Sequence, residues 1–130
     1  MTMEQFRPNI LVVDDDPALL SLLIDTLLAI GYNATGAANG VRALEVLAET
    51  SFALMITDIR MPKLNGLQLR DKVKRLYPDM PILFVTGVAY PDIIAQASPE
   101  GVLAKPFRIS QIEEMIESTL NSTQLPSASR

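Results

Sequence analysis

Short apolar runs alternate with longer amphipathic ones along this chain, and that alternation most restricts what it can become. Residues 10–13, 53–57, 82–86 and 102–104 have the composition of buried strands, and residues 33–36 make a less apolar fifth run. Between them, apolar side chains recur at helical spacing. Five βα units around one parallel sheet follow from such a pattern. With 130 residues, the chain is long enough for one domain with its own core.

Helix boundaries are marked locally. Asp16 followed by Pro17 is a helix start, because the carboxylate accepts from a free N–H and proline presets the first φ. Leu20, Leu23, Ile24 and Leu27 then share one face, and Gly31 suits the C-terminal end. Asn39 caps a second helix with Val41, Leu44 and Leu47 as its apolar stripe. Asn65-Gly66 opens a third, which Pro78 stops. A fourth is confined to residues 91–97, since Ser98-Pro99 and Gly101 break it. The fifth starts near Ser110 and turns Ile112, Met115, Ile116 and Leu120 inward. Past this helix the composition becomes polar, so residues 1–122 are expected to form the domain and 123–130 a tail or the start of a linker.

Composition removes several chemistries. Cysteine and histidine are both absent, which excludes disulfides, thiolate or imidazole metal sites, a cysteine nucleophile and a serine-histidine triad. Fifteen acidic against 11 basic side chains give no general attraction to nucleic acid or anionic lipid. The basic run Arg70, Lys72, Lys74 and Arg75 is interleaved with Leu69, Val73 and Leu76, and reads as the solvated face of the third helix. Residues 18–30 are too short and too interrupted to span a bilayer, and residues 1–8 lack a signal-peptide pattern. A cytoplasmic protein is expected.

The chemistry gathers at the strand ends. Asp14 and Asp15 follow the first strand, Asp58 the third and Lys105 the fifth, while Thr86 closes the fourth. In an open parallel sheet these positions lie along one rim, where ligands bind. Three neighbouring carboxylates raise one another's pKa unless a cation joins them. Oxygen-only donors favour a hard ion, magnesium, with manganese able to substitute. A carboxylate beside such an ion can attack phosphorus, with Lys105 and Thr86 placed to bind the phosphoryl oxygens.

Four strings now fall into order: ILVVDDD at 10–16, MITDIRMPKLNG at 55–66, FVTG at 84–87 and LAKPF at 103–107. Together they resemble the receiver domain of bacterial two-component response regulators over roughly residues 9–120. The resemblance implies a CheY-like, flavodoxin-like doubly wound sheet with strand order 2-1-3-4-5. It implies that Asp58 accepts a phosphoryl group from a phosphohistidine on a sensor histidine kinase or a histidine phosphotransfer protein, and that the domain is a stoichiometric acceptor more than an enzyme. Asp15, Asp58 and the Arg60 carbonyl are then the direct metal ligands, and Asp14 acts mainly through water. Thr86 and Lys105 contact the phosphoryl group, the Lys105-Pro106 bond is cis, and Gly66 is the glycine of the bend after Asp58. Val88 and Arg60 border the hydrolytic water. Monomer or weak homodimer is the expected state, acting on a downstream protein.

One position departs from the family. Receivers carry an aromatic residue three positions before the lysine, whose rotation reports phosphorylation; here it is Val102. Valine has no such swing, so output is expected to run instead through reordering of residues 88–99. The stretch from Thr86 to Lys105 is also a few residues short. The alternatives are a receiver-like interaction domain that is not phosphorylated, and a magnesium-dependent phosphatase. Arg60 stands where that enzyme class places a second aspartate, which disfavours the latter.

Overall fold

The computed structural model describes residues 7–128, and side chains within 7–122. Its elements alternate strictly: β1 (Asn9–Val13), α1 (Pro17–Ala29), β2 (Asn33–Ala37), α2 (Gly40–Glu49), β3 (Leu54–Thr57), α3 (Gly66–Leu76), β4 (Ile82–Thr86), α4 (Pro91–Ala97), β5 (Gly101–Ala104) and α5 (Ile109–Ala128). All strand pairs are parallel, in the order β2-β1-β3-β4-β5. This is the flavodoxin-like arrangement of five strands and five helices. The order reverses between β1 and β3, the switch point at which such sheets open a crevice.

Alternation along each central strand divides the core into two layers. Leu11, Val13, Met55, Ile82 and Phe84 point to one face, where Ala43, Val46 and Leu47 of α2, Leu69 and Val73 of α3 and Ala97 of α4 cover them. Ile10, Val12, Leu54, Ile56, Leu83 and Val85 point to the other, against Leu23 and Leu27 of α1 and Ile112, Ile116 and Leu120 of α5. Both faces are closed. β1, β3 and β4 therefore read as nearly unbroken apolar runs.

The caps explain where helices begin and end. Asp16 accepts from the N–H groups of Ala18 and Leu19, at 3.0 and 3.4 Å. At the far end of α1, Tyr32 N–H donates to Leu27 and Gly31 N–H to Leu28, with Gly31 at φ +108°, a Schellman closure that needs glycine. Asn39 caps α2 through Arg42 N–H, and Asn65 and Gln68 form a reciprocal capping box on α3. Gly36 in β2 brings α1 close, because a Cβ there would sit 2.7 Å from the Ile24 side chain.

Three expectations change. Of the expected stripe on α2, Leu47 is buried and Leu44 packs on the core, but Val41 is 55 % exposed, and Gly40, Ala43 and Val46 share the buried face. Gly40, with no side chain, lets Leu64 pack close to the start of the helix, where a Cβ would lie 2.7 Å from the Leu64 side chain. Arg70 is not on a solvated face: its side chain is 14 % exposed and reaches α4 and Glu100. Lys74 likewise donates to the Met80 carbonyl, at 2.7 Å. Finally, α5 continues through Ala128, since extending an existing helix needs no new nucleus. The tail expected at 123–130 therefore overlaps that helix, and its side chains and residues 129–130 lie outside the described residues.

Asp16→Ala should lower stability by about 1 kcal/mol in urea unfolding. An unchanged midpoint would show that this cap contributes nothing in solution.

Candidate functional site: an acidic rim closed by a lysine

Backbone pairing continues one residue past β1, β3 and β5 and thereby aims the site. Asp14 N–H donates to the Ala37 carbonyl at 3.2 Å, Asp58 N–H to Val13 at 3.1 Å and Lys105 N–H to Thr86 at 2.9 Å. Residues 14, 58 and 105 are thus held by the ladder, although strand geometry has ended. Asp14, Asp15 and Asp58 each bring a carboxylate oxygen within 4.8 Å of the others. Asp14 and Asp58 are buried, while Asp15 is exposed.

Lys105 answers this charge. Its Nζ lies 2.9 Å from Asp58 Oδ2 and 3.2 Å from Asp14 Oδ2. Asp58 Oδ1 accepts from the N–H groups of Ile59 at 2.6 Å and Arg60 at 3.3 Å, and Asp14 Oδ1 accepts from Asp16 N–H at 2.9 Å. The backbone donors at Ile59 and Asp16 carry no signal in their residue types. They follow from the way the chain turns after the strand.

The charges shift one another. Burial pushes the Asp14 carboxyl above its ordinary value, against the Asp16 N–H and Lys105, which pull it down. Burial alone would lower the Lys105 pKa, but its bonds to Asp58 and Asp14 outweigh this and raise it. Asp14 is therefore more costly ionised in the folded state than in the unfolded one. That cost grows as pH rises from the ordinary carboxylate value through the raised one, and persists above it. The lysine contribution has the opposite profile: full below its ordinary pKa and lost as pH rises through the raised one.

Thr86 and Val102 sit differently from the acidic group. The Thr86 hydroxyl is buried at the end of β4 and accepts from Val88 N–H at 3.2 Å. Val102 pairs in register with Phe84, two residues below the pair Thr86 and Ala104, and packs on the core with Val88 and Ile93. Arg60 contributes its N–H to Asp58, and its side chain is exposed. The Lys105-Pro106 bond is cis, and so is Ser98-Pro99.

Gly66 has a different reason from the expected bend. Its N–H donates to the Ile59 carbonyl at 2.7 Å, and a Cβ would overlap the Asp58 carbonyl oxygen and lie 2.8 Å from Ile59 Cα. Close approach, not a positive φ, requires glycine here. In the same loop the positive φ belongs to Lys63, at 68°.

The donor set fits a hard divalent ion. It offers three carboxylates and no softer ligand.

Residues 10–117 match the family profile of the response regulator receiver domain. The chain belongs to that family. This receiver is 36% identical over 116 residues to the response regulator receiver protein CpdR of Brucella abortus, covering 86% of this chain and 96% of CpdR. It is 34% identical to FleR of Pseudomonas aeruginosa, covering 83% of this chain but 24% of FleR, and 34% identical to GlrR of Escherichia coli, covering 88% and 27%. The receiver thus spans nearly all of one curated relative and about a quarter of the others. Among solved structures, a CheY-like receiver from Methanospirillum hungatei superposes with a TM-score of 0.86 at 28% identity, covering 92% of this chain and 98% of that one. TrrA of Thermotoga maritima, in complex with Mg(2+)-BeF, gives 0.79 at 28% identity over 86% and 98%. This is a receiver domain of the two-component class, with an acidic cluster able to bind a metal. Among the described residues no helix is long and apolar enough to cross a membrane.

Two substitutions test the site. Gly66→Ala should destabilise by about 2 kcal/mol, because the backbone clash outweighs the better helix propensity of alanine. A stabilised variant in urea would show that the loop yields. Asp14→Asn should raise the metal-free melting temperature at neutral pH, while abolishing the further rise that magnesium brings to the parent. Equal magnesium-dependent shifts in both proteins would remove Asp14 from the metal site.

Proposed function

We propose that this receiver accepts a phosphoryl group on Asp58 and uses the modified state to change its contacts with other proteins. The observation that carries this reading is the Asp58 carboxylate itself. It lies at the switch point, with Oδ1 held by backbone N–H groups and Oδ2 by Lys105 at 2.9 Å, beside Asp14 and Asp15.

A carboxylate oxygen of Asp58 attacks the phosphorus of a phosphohistidine on a partner kinase or phosphotransfer protein. The P–O bond forms as the P–N bond breaks, and the bonding pair returns to the partner's imidazole. The imidazole that this chain lacks is thus supplied in trans. Lys105 follows the charge from the carboxylate to a phosphoryl oxygen, and the Thr86 hydroxyl donates to another. Asp15, Asp58 and the Arg60 carbonyl, with Asp14 through water, are the residues that would hold magnesium, or manganese in its place. When bound, that ion neutralises phosphoryl oxygen charge. Water later cleaves the acyl phosphate and restores Asp58, with Val88 and Arg60 bordering its approach.

Val102 shapes the output. A half-buried valine packed on the core has no rotamer that carries a ring to the surface. The signal therefore runs through residues 88–99, starting from the bond between Thr86 and Val88. The domain acts in the cytoplasm on an unidentified protein, as a monomer or weak dimer.

Incubation with magnesium and acetyl phosphate should add one phosphate to the intact mass, and none to Asp58→Ala. An equal adduct in the variant would move the acceptor elsewhere. The absence of any adduct, even with phosphorylated histidine donors, would favour an interaction domain that is not phosphorylated.

A further inference from the structure

α4 is poorly secured by its own sequence. It has seven residues, no side-chain bond at its N-cap Tyr90, and one fully buried residue, Ala97. So short a helix does not persist without tertiary support. Tyr90 and Ile94 are exposed, and Ala97 with the half-buried Ile93 on the core does not by itself supply that support.

Two polar tethers do. At the N-terminal side, Val88 N–H donates to the Thr86 hydroxyl at 3.2 Å. At the C-terminal side, the Arg70 guanidinium of α3 donates to the Gln96 carbonyl at 2.8 Å and the Ala97 carbonyl at 2.9 Å. The same group pairs with Glu100 at 2.5 Å and with Asp71 at 2.7 Å, and its centre lies 5.9 Å from the Phe84 ring centroid. A fixed, planar cation on the last carbonyls of a helix satisfies them and complements the helix dipole. The pair is sheltered, with Arg70 14 % and Glu100 9 % exposed, so solvent screens it little. Burial would lower the Arg70 pKa, but its two carboxylate partners more than offset this and keep it charged.

The tethers differ in what can release them. The first includes the hydroxyl that the proposed function turns toward a phosphoryl group. The second touches no site residue. Its contact with Phe84 rests on the β4 residue that pairs with Val102, on the face that also carries Thr86.

We propose that Arg70 is the positioning residue that pins the C-terminal end of α4, so that phosphorylation moves residues 88–95 about a fixed point at 96–100 while β5 stays still. The resting-state pin is independent of the proposed function; its role as a pivot rests on that reading. Arg70 thus confines the change that a rotating aromatic would otherwise have carried across to β5.

Hydrogen exchange on the full chain tests both parts, with Arg70→Met as the first variant. Glu100→Gln is the second, weakening the same pin should the first not fold. Without any phosphoryl mimic, exchange at residues 91–98 should rise roughly tenfold in Arg70→Met, and less in Glu100→Gln, with α1 and α5 unchanged. Unchanged protection at 91–98 would overturn the pin. With magnesium and beryllofluoride, binding monitored by fluorine NMR should be equal in all three proteins. Faster exchange should then stop at residue 95 in the parent and spread through residue 103 in the variants. The same boundary in parent and variants would overturn the pivot. Failure of the parent to bind beryllofluoride would count against the phosphoacceptor reading and remove the pivot with it, while the resting comparison would still decide the pin.

Discussion

Charge crowding at one end of the sheet is the constraint on which the rest of this molecule depends. Asp14, Asp15 and Asp58 converge because β1 and β3 are neighbours that end at the same level. Left alone, three carboxylates so close would repel, and two of them are buried. Lys105 is the protein's internal answer, reaching across β4 from the end of β5 to both buried carboxylates. One ammonium does not balance three carboxylates. The remaining imbalance is what makes the rim receptive to a divalent cation. Function here grows from an electrostatic deficit that the fold maintains.

Maintaining it falls to backbone and packing. The bonds that run one residue beyond β1, β3 and β5 hold Asp14, Asp58 and Lys105 in register, and the missing Cβ of Gly66 lets α3 start against the Asp58 carbonyl. Two apolar layers then lock the sheet between helices. Such closure on both faces leaves the strand ends as the place where polar groups from distant parts of the chain meet.

Much of this was legible before any coordinates. Strand positions could be read because buried parallel strands are short apolar runs, and β4 and α4 have the expected limits. Caps were legible because Asp16, Asn39 and Asn65 act within four residues of themselves. The acidic rim followed from strand ends and topology together. What could not be read depends on contacts remote in sequence. Arg70 looks like one more surface cation in a basic run, and only the fold shows Glu100 thirty residues away beside it. Val41 satisfies a helical stripe as well as Ala43 does, yet Ala43 is buried and Val41 exposed. The reason for Gly66 was also hidden, since a glycine in a loop suggests flexibility where the requirement is proximity.

The wide spacing of the rim residues has a consequence for the life of the chain. Asp14 and Lys105 are 91 positions apart, and the lysine is delivered by the last strand to join the sheet in sequence order. During synthesis the acidic side chains emerge long before their counterion does. Because non-local pairings form late in folding, the constellation is complete only when the outermost strand has docked. An unfinished or truncated chain carries the Asp58 carboxylate without the lysine that pairs with it. The topology therefore makes completion of the acidic rim coincide with completion of the sheet.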